Sequence, residues 1–148
     1  MAHAPSLTRT SRVVVEEHRL LRGLLAEIEA AFKGKGLRLD TGLDVVAVRL
    51  DTLRGPLWAH FDEEERAGLF EEIEEHTPES GPACARLRRE HKGLLVRLDA
   101  LREVPPEGRR GPKWSREVRA FLDELSEHES QEVDLLMRSL EGPGGAPD

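Results

Sequence analysis

The chain has 148 residues, the length of one compact domain, and its 38% apolar residues and 13 glycines supply an ordinary globular core. A net charge of −7 argues against nucleic acid as a partner, because phosphate binding asks for a basic face. No run approaches the roughly 18 apolar residues of a membrane span, and the opening stretch MAHAPSLTRTSR lacks the apolar segment of a secretory signal, so neither a membrane nor an export signal is expected.

Taken in chain order, breaks at Gly34, Gly36 and Gly42, at His76–Pro82, and at Val104–Pro112 separate four segments rich in Leu, Glu, Arg and Ala. They predict helices over about 9–33, 41–76, 82–103 and 114–140, with Thr41 and Ser115 as N-caps. Gly142-Pro143-Gly144-Gly145 ends the ordered part, which makes 142–148 a flexible tail. In the first helix Val14, His18, Leu21, Leu25, Ile28 and Phe32 recur at steps of three and four. The second carries Leu43, Val46, Leu50, Leu53, Leu57, His60, Glu64 and Ala67 in the same rhythm, in phase on both sides of Gly55-Pro56, so a bend is expected there rather than an end. The third carries Cys84, Leu87, His91, Leu94, Leu98 and Leu101, and the fourth Val118, Phe121, Leu125, His128, Glu132 and Leu135. Such seams, joined by short loops, predict an all-α, antiparallel up-down-up-down four-helix bundle. The single cysteine, Cys84, forms no internal disulfide, reads as a small core residue, and fits a reducing cytoplasm.

Six seam positions are ionisable: His18, His60, Glu64, His91, His128 and Glu132. A lone carboxylate in an apolar core costs several kcal/mol, and a pair of cations compensates the whole set directly. His60 and Glu64 lie four apart on one helix face, and His128 and Glu132 repeat the arrangement. At about 1.5 Å per residue, His91 and His128 lie roughly 18 and 20 Å from the loop joining their helices, and His18 and His60 roughly 22 and 28 Å from theirs, so all six can meet in one layer. Glu63, Glu65 and Glu129 stand one residue off the seam and read as solvated, an accessory ligand among them being the alternative. The non-seam acids of 62–75 read as the wet face of the second helix. His3, in the tail, and His76, in a loop, receive no role, and Arg109, Arg110 and Lys113 read as a solubilising loop. A mixed His/carboxylate set on four helices suits iron or manganese ahead of zinc, which takes fewer ligands and closes its shell. With no tyrosine in the chain, a tyrosyl radical or tyrosinate ligand is excluded.

His18, then His60-Phe61-Asp62-Glu63-Glu64-Glu65, then His91, then His128-Glu129-Ser130-Gln131-Glu132 resembles the hemerythrin HHE cation-binding family over nearly the whole chain, residues 1–141. The resemblance implies His18 and His60 on one iron, His91 and His128 on the other, and Glu64 and Glu132 bridging two irons joined by an oxo or hydroxo group. Oxygen-carrying members have a further histidine one turn from the position of His91, where this chain has Leu87 and Leu95. The four-His, two-Glu set is instead similar to bacterial iron–sulfur centre repair proteins, although their separate cysteine-bearing N-terminal domain is not expected here, and to the iron-sensing hemerythrin domain of an F-box protein. The implied function is binding or sensing of O2, NO or iron. The alternative is a di-iron redox enzyme that reduces NO, decomposes peroxide or donates iron. A metal-free helical interaction module leaves the six core charges unexplained.

Overall fold

The computed structural model describes residues 3–33 and 39–141, with side chains over 12–33 and 42–141. Among these residues there are five α-helices and no strand: α1 (His3–Phe32), α2 (Leu39–Arg66), α3 (Leu69–His76), α4 (Gly81–Arg102) and α5 (Pro112–Glu141). Short 3-10 turns at Pro78–Ser80 and Pro106–Arg109 join the later helices. The four long helices neighbour one another in a closed circuit, α1 on α2, α2 on α4, α4 on α5 and α5 on α1, and the short α3 packs against all four. The expected all-helical class is what the chain adopts.

The seams explain the packing. Every seam residue named above is buried except Phe32, which is partly covered, and Ala67, which is exposed. The core falls into two apolar clusters. One is built on Leu21, Leu50, Leu57, Leu94, Leu98 and Leu125. The other gathers Val14, Leu69, Phe70, Ile73, Leu87 and Leu136. The chain passes from one cluster to the other through ionisable residues: His18 lies between Val14 and Leu21 on α1, His91 between Leu87 and Leu94 on α4, His128 and Glu132 between Leu125 and Leu135 on α5, and His60 and Glu64 between Leu57 of α2 and Leu69 of α3. The polar layer is thus sealed above and below by apolar side chains.

The second predicted helix, 41–76, is in fact two helices. Gly68 has φ 76°, in the left-handed region that glycine enters without the cost of a Cβ, and it separates α2 from α3. The amide of Gly68 reaches back only to the Glu65 carbonyl, and its own carbonyl accepts from Glu72 to start α3. The turn takes Ala67 off the seam into solvent and lays Leu69, Phe70 and Ile73 across the end of the bundle. Pro56 does not end α2; it lies on an exposed face, one turn beyond the exposed Thr52.

Other boundaries shift. α1 begins at His3, six residues before the predicted start, so His3 opens a helix rather than a tail. Neither expected cap stands outside its helix: α2 begins at Leu39, ahead of Thr41, and α5 at Pro112, ahead of Ser115. Gly42 is not a break either. A Cβ there would lie in ordinary contact, 3.4 Å from the Ala31 carbonyl oxygen, so Gly42 is an ordinary helical position of α2 facing α1. α5 instead starts from Gly111 at φ 87° with Pro112 at its first position, and the Trp114 indole Nε1 donates to the Leu101 carbonyl at 3.1 Å, tying the start of α5 to the end of α4. The expected break at Gly34 and Gly36 and the tail 142–148 lie outside the described residues.

Candidate metal centre

The layer between the two clusters holds all six predicted residues, each at most 3% exposed. The four imidazoles form two pairs, His18 with His60 at 4.9 Å between ring centroids and His91 with His128 at 5.0 Å. All four Nε2 atoms face the carboxylates. Glu132 spans the pairs: Oε1 lies 3.3 Å from His18 Nε2, while Oε2 lies 3.1 Å from His91 Nε2 and 2.8 Å from His128 Nε2. Glu64 does the same from the opposite helix, with Oε2 3.0 Å from His60 Nε2 and Oε1 3.3 Å from His91 Nε2. Two carboxylates therefore each offer one oxygen to either histidine pair.

The outward-facing nitrogens fix the tautomers. His60 Nδ1–H donates to Glu17 at 2.9 Å, His91 Nδ1–H to Glu65 at 2.7 Å, and His128 Nδ1–H to Glu90 at 2.7 Å. A carboxylate only accepts, so Nδ1 carries a proton in each, and once a ring gives up its second proton the lone pair is on Nε2, facing inward, as a metal ligand must have it. Each carboxylate comes from the preceding long helix: α1 serves α2, α2 serves α4, and α4 serves α5. Glu65, expected to be merely solvated, thus holds the His91 ring while remaining 44% exposed. The circuit stops at α1, where His18 Nδ1 has no partner.

Glu129, likewise expected to be solvated, is buried at 6% exposure, and its Oε1 lies 2.8 Å from His18 Nε2 and 3.2 Å from His60 Nε2. The signal for it is present in the sequence. On α5 the buried pairs Phe121-Leu122, His128-Glu129 and Leu135-Leu136 recur every seven residues, so this helix buries a stripe two residues wide. Phe61 was also missed. It is buried, stacks on His91 at 4.0 Å between centroids, and meets His128 edge-on at 5.5 Å. Glu63 is exposed, as expected, and His76 lies at the end of α3 with its ring against the Glu72 carbonyl. Cys84 is buried beside Ser80, and burial pushes its thiol up, away from reactivity.

The electrostatics are those of a site built for cations. Burial disfavours charged imidazolium, yet the carboxylates Glu129, Glu132 and Glu64 outweigh it, so His18 is pushed up to about 11. For His91, burial is outweighed by Glu132 and Glu64, which carry it to about 10. His60 and His128 are raised for the same reasons. Burial opposes ionisation of Glu129 and Glu132 as well, but the surrounding histidines hold both below the usual carboxylate range. Protein groups alone leave the layer incompletely satisfied: His60 Nε2, His128 Nε2 and both oxygens of Glu64 and of Glu129 have no hydrogen-bond partner. Polar atoms that converge within about 3 Å without hydrogen-bond geometry suit a cation between them. His18, His60, Glu129 and Glu132 form one group close enough to hold a metal ion, and His91, His128 and Glu132 form a second.

The hemerythrin HHE cation-binding domain matches residues 9–140. The chain belongs to the hemerythrin HHE family. The match runs from the first turns of α1 to the last turn of α5 and includes every residue of the polar layer. No curated protein and no solved structure matches the chain. As in a cation-binding family, this hemerythrin domain concentrates its buried His and Glu side chains where they can bind metal, and none of its described helices is long and apolar enough to cross a membrane.

Proposed function

We propose that this hemerythrin domain holds a carboxylate-bridged pair of metal ions, iron ahead of manganese or zinc. His18 and His60 would take one ion, His91 and His128 the other, with Glu64 and Glu132 spanning both. The carrying observation is that Glu64 and Glu132 each direct one oxygen to either histidine pair. Such a pair supplies reversible redox chemistry and open positions for a small ligand. The protein's part is to keep the Nε2 atoms of His60, His91 and His128 aimed inward through Glu17, Glu65 and Glu90, and to exclude bulk water with Phe61, Phe70 and Leu87. The function this supports best is binding or sensing of a small ligand, O2, NO or iron itself, in a reducing cytoplasm. Metal occupancy would be linked to stability, because the cations offset the buried carboxylates.

A second reading, a redox enzyme acting on NO or peroxide or donating iron, is favoured by the apolar Leu87 and Leu95 one turn to either side of His91, where no further histidine stands. Anaerobic reconstitution with ferrous iron, followed by metal analysis and a visible spectrum, tests the site. Two irons per chain are expected, and none bound after reconstitution would refute both readings. Turnover of NO or peroxide above that of free iron selects the enzyme, and its absence, with melting that depends on iron, selects the sensor.

A further inference from the structure

One buried charge of the polar layer has no part in the six-residue set. Glu129 is 6% exposed, both of its oxygens lack a hydrogen-bond partner, and Oε1 lies 2.8 and 3.2 Å from the Nε2 atoms of His18 and His60. We propose that Glu129 is a seventh, terminal metal donor confined to the ion held by His18 and His60, so that the two metal positions are chemically unequal. The inference rests on the paired-metal reading above and names which of its two positions stays open.

The donor count follows from the geometry. The His18–His60 position has two imidazoles, one oxygen from each spanning carboxylate, and Glu129. The His91–His128 position has the imidazoles and spanning oxygens alone. Glu129 therefore adds one protein donor and one negative charge to a single side, which favours the higher oxidation state there and leaves the His91–His128 ion to accept a small exogenous ligand. The break in the outer circuit points the same way. Three imidazoles have a carboxylate on Nδ1, whereas His18 has none, and the glutamate that α5 contributes beside it is turned inward to Nε2. Glu129 also lies under a cavity of about 250 Å³ between α1 and α5, lined by Leu21, Ser126, Ser130 and Val133.

The test uses the full chain loaded with iron, with azide as the probe after oxidation. Removal of an outer-shell partner weakens metal affinity about 10–100-fold, and a direct donor is worth at least as much. Glu129→Gln and Glu129→Ala are therefore expected to keep one ion at wild-type affinity, weaken the other at least about tenfold, and raise azide binding from one to two per metal pair. Glu129→Gln keeps the side-chain shape if the alanine variant does not fold. Two ions bound as in the wild type, with a single azide, would overturn the assignment of Glu129 while leaving the paired site standing. A wild-type chain that binds no ion pair would overturn the paired site, and this inference with it.

Discussion

Glu17 on α1 accepts the Nδ1 proton of His60 on α2 at 2.9 Å, although the two residues are 43 positions apart in the chain. The same relationship joins Glu65 to His91 and Glu90 to His128, so three of the four imidazoles are aligned by the preceding long helix.

Glu90→Ala and Glu65→Ala are expected to weaken metal binding about 10–100-fold without changing the number of ions bound, because the ring loses the acceptor that sets its tautomer. Chelator competition measures this. Affinities equal to the wild type would mean that these carboxylates only decorate the surface.

Glu64→Ala and Glu132→Ala remove an oxygen from both metal positions at once and are expected to abolish binding of the pair, whereas Glu63→Ala, at an exposed position, is expected to leave it intact. Metal analysis after reconstitution compares them. Equal losses in all three would place the helix register of α2 one residue out.

Stripped of metal, the protein should be most stable between pH 4.5 and 6.5, the ordinary values of its carboxylates and histidines. His18 and His91 bind protons more tightly folded than unfolded, so their contribution is complete below 6.5 and is lost as pH rises through about 11 and about 10. Glu129 and Glu132 are held below 4.5, so theirs is complete above 4.5 and fades as pH falls. Metal needs the histidines neutral and binds better as pH rises, so the gap in melting temperature between loaded and stripped protein should widen from pH 6 to pH 9. Thermal melts across that range measure it, and a constant gap would contradict the ion pairing described for the layer.

Gly68→Ala forces a Cβ into the left-handed region and is expected to cost about 1–2 kcal/mol. Gly23→Ala, in an exposed interior position of α1 with nothing within 4 Å of the added Cβ, is expected to stabilise by about 0.5–1 kcal/mol. Urea unfolding separates the two. A neutral Gly68→Ala would show that the α2–α3 turn relaxes without strain.

The six ionisable seam positions were readable in the sequence because helical spacing alone puts them in phase with leucines. Glu129 was missed, since one residue past His128 means a rotation of about 100°, and only the doubled apolar positions Phe121-Leu122 and Leu135-Leu136 mark a stripe wide enough to bring both inside. Gly68 was hidden for a related reason. A single glycine in a helical stretch is usually absorbed, and its left-handed φ is imposed by Leu69, Phe70 and Ile73 finding the end of the core. Glu17, Glu65 and Glu90 stand next to seam residues, but each serves a histidine on another helix, a relation that spacing along one helix does not carry.

Those three carboxylates have a consequence for traffic through the layer. Their side chains are 29, 44 and 38% exposed, and each holds the Nδ1 proton of a ring that is almost wholly covered. Every one of these rings is therefore a single side chain away from bulk solvent along a hydrogen bond. Protons displaced when a cation enters, or taken up when it leaves, can pass between His60, His91 or His128 and water while the helices stay packed. His18 has no such carboxylate on its Nδ1, so its proton should exchange with water more slowly than those of His60, His91 and His128.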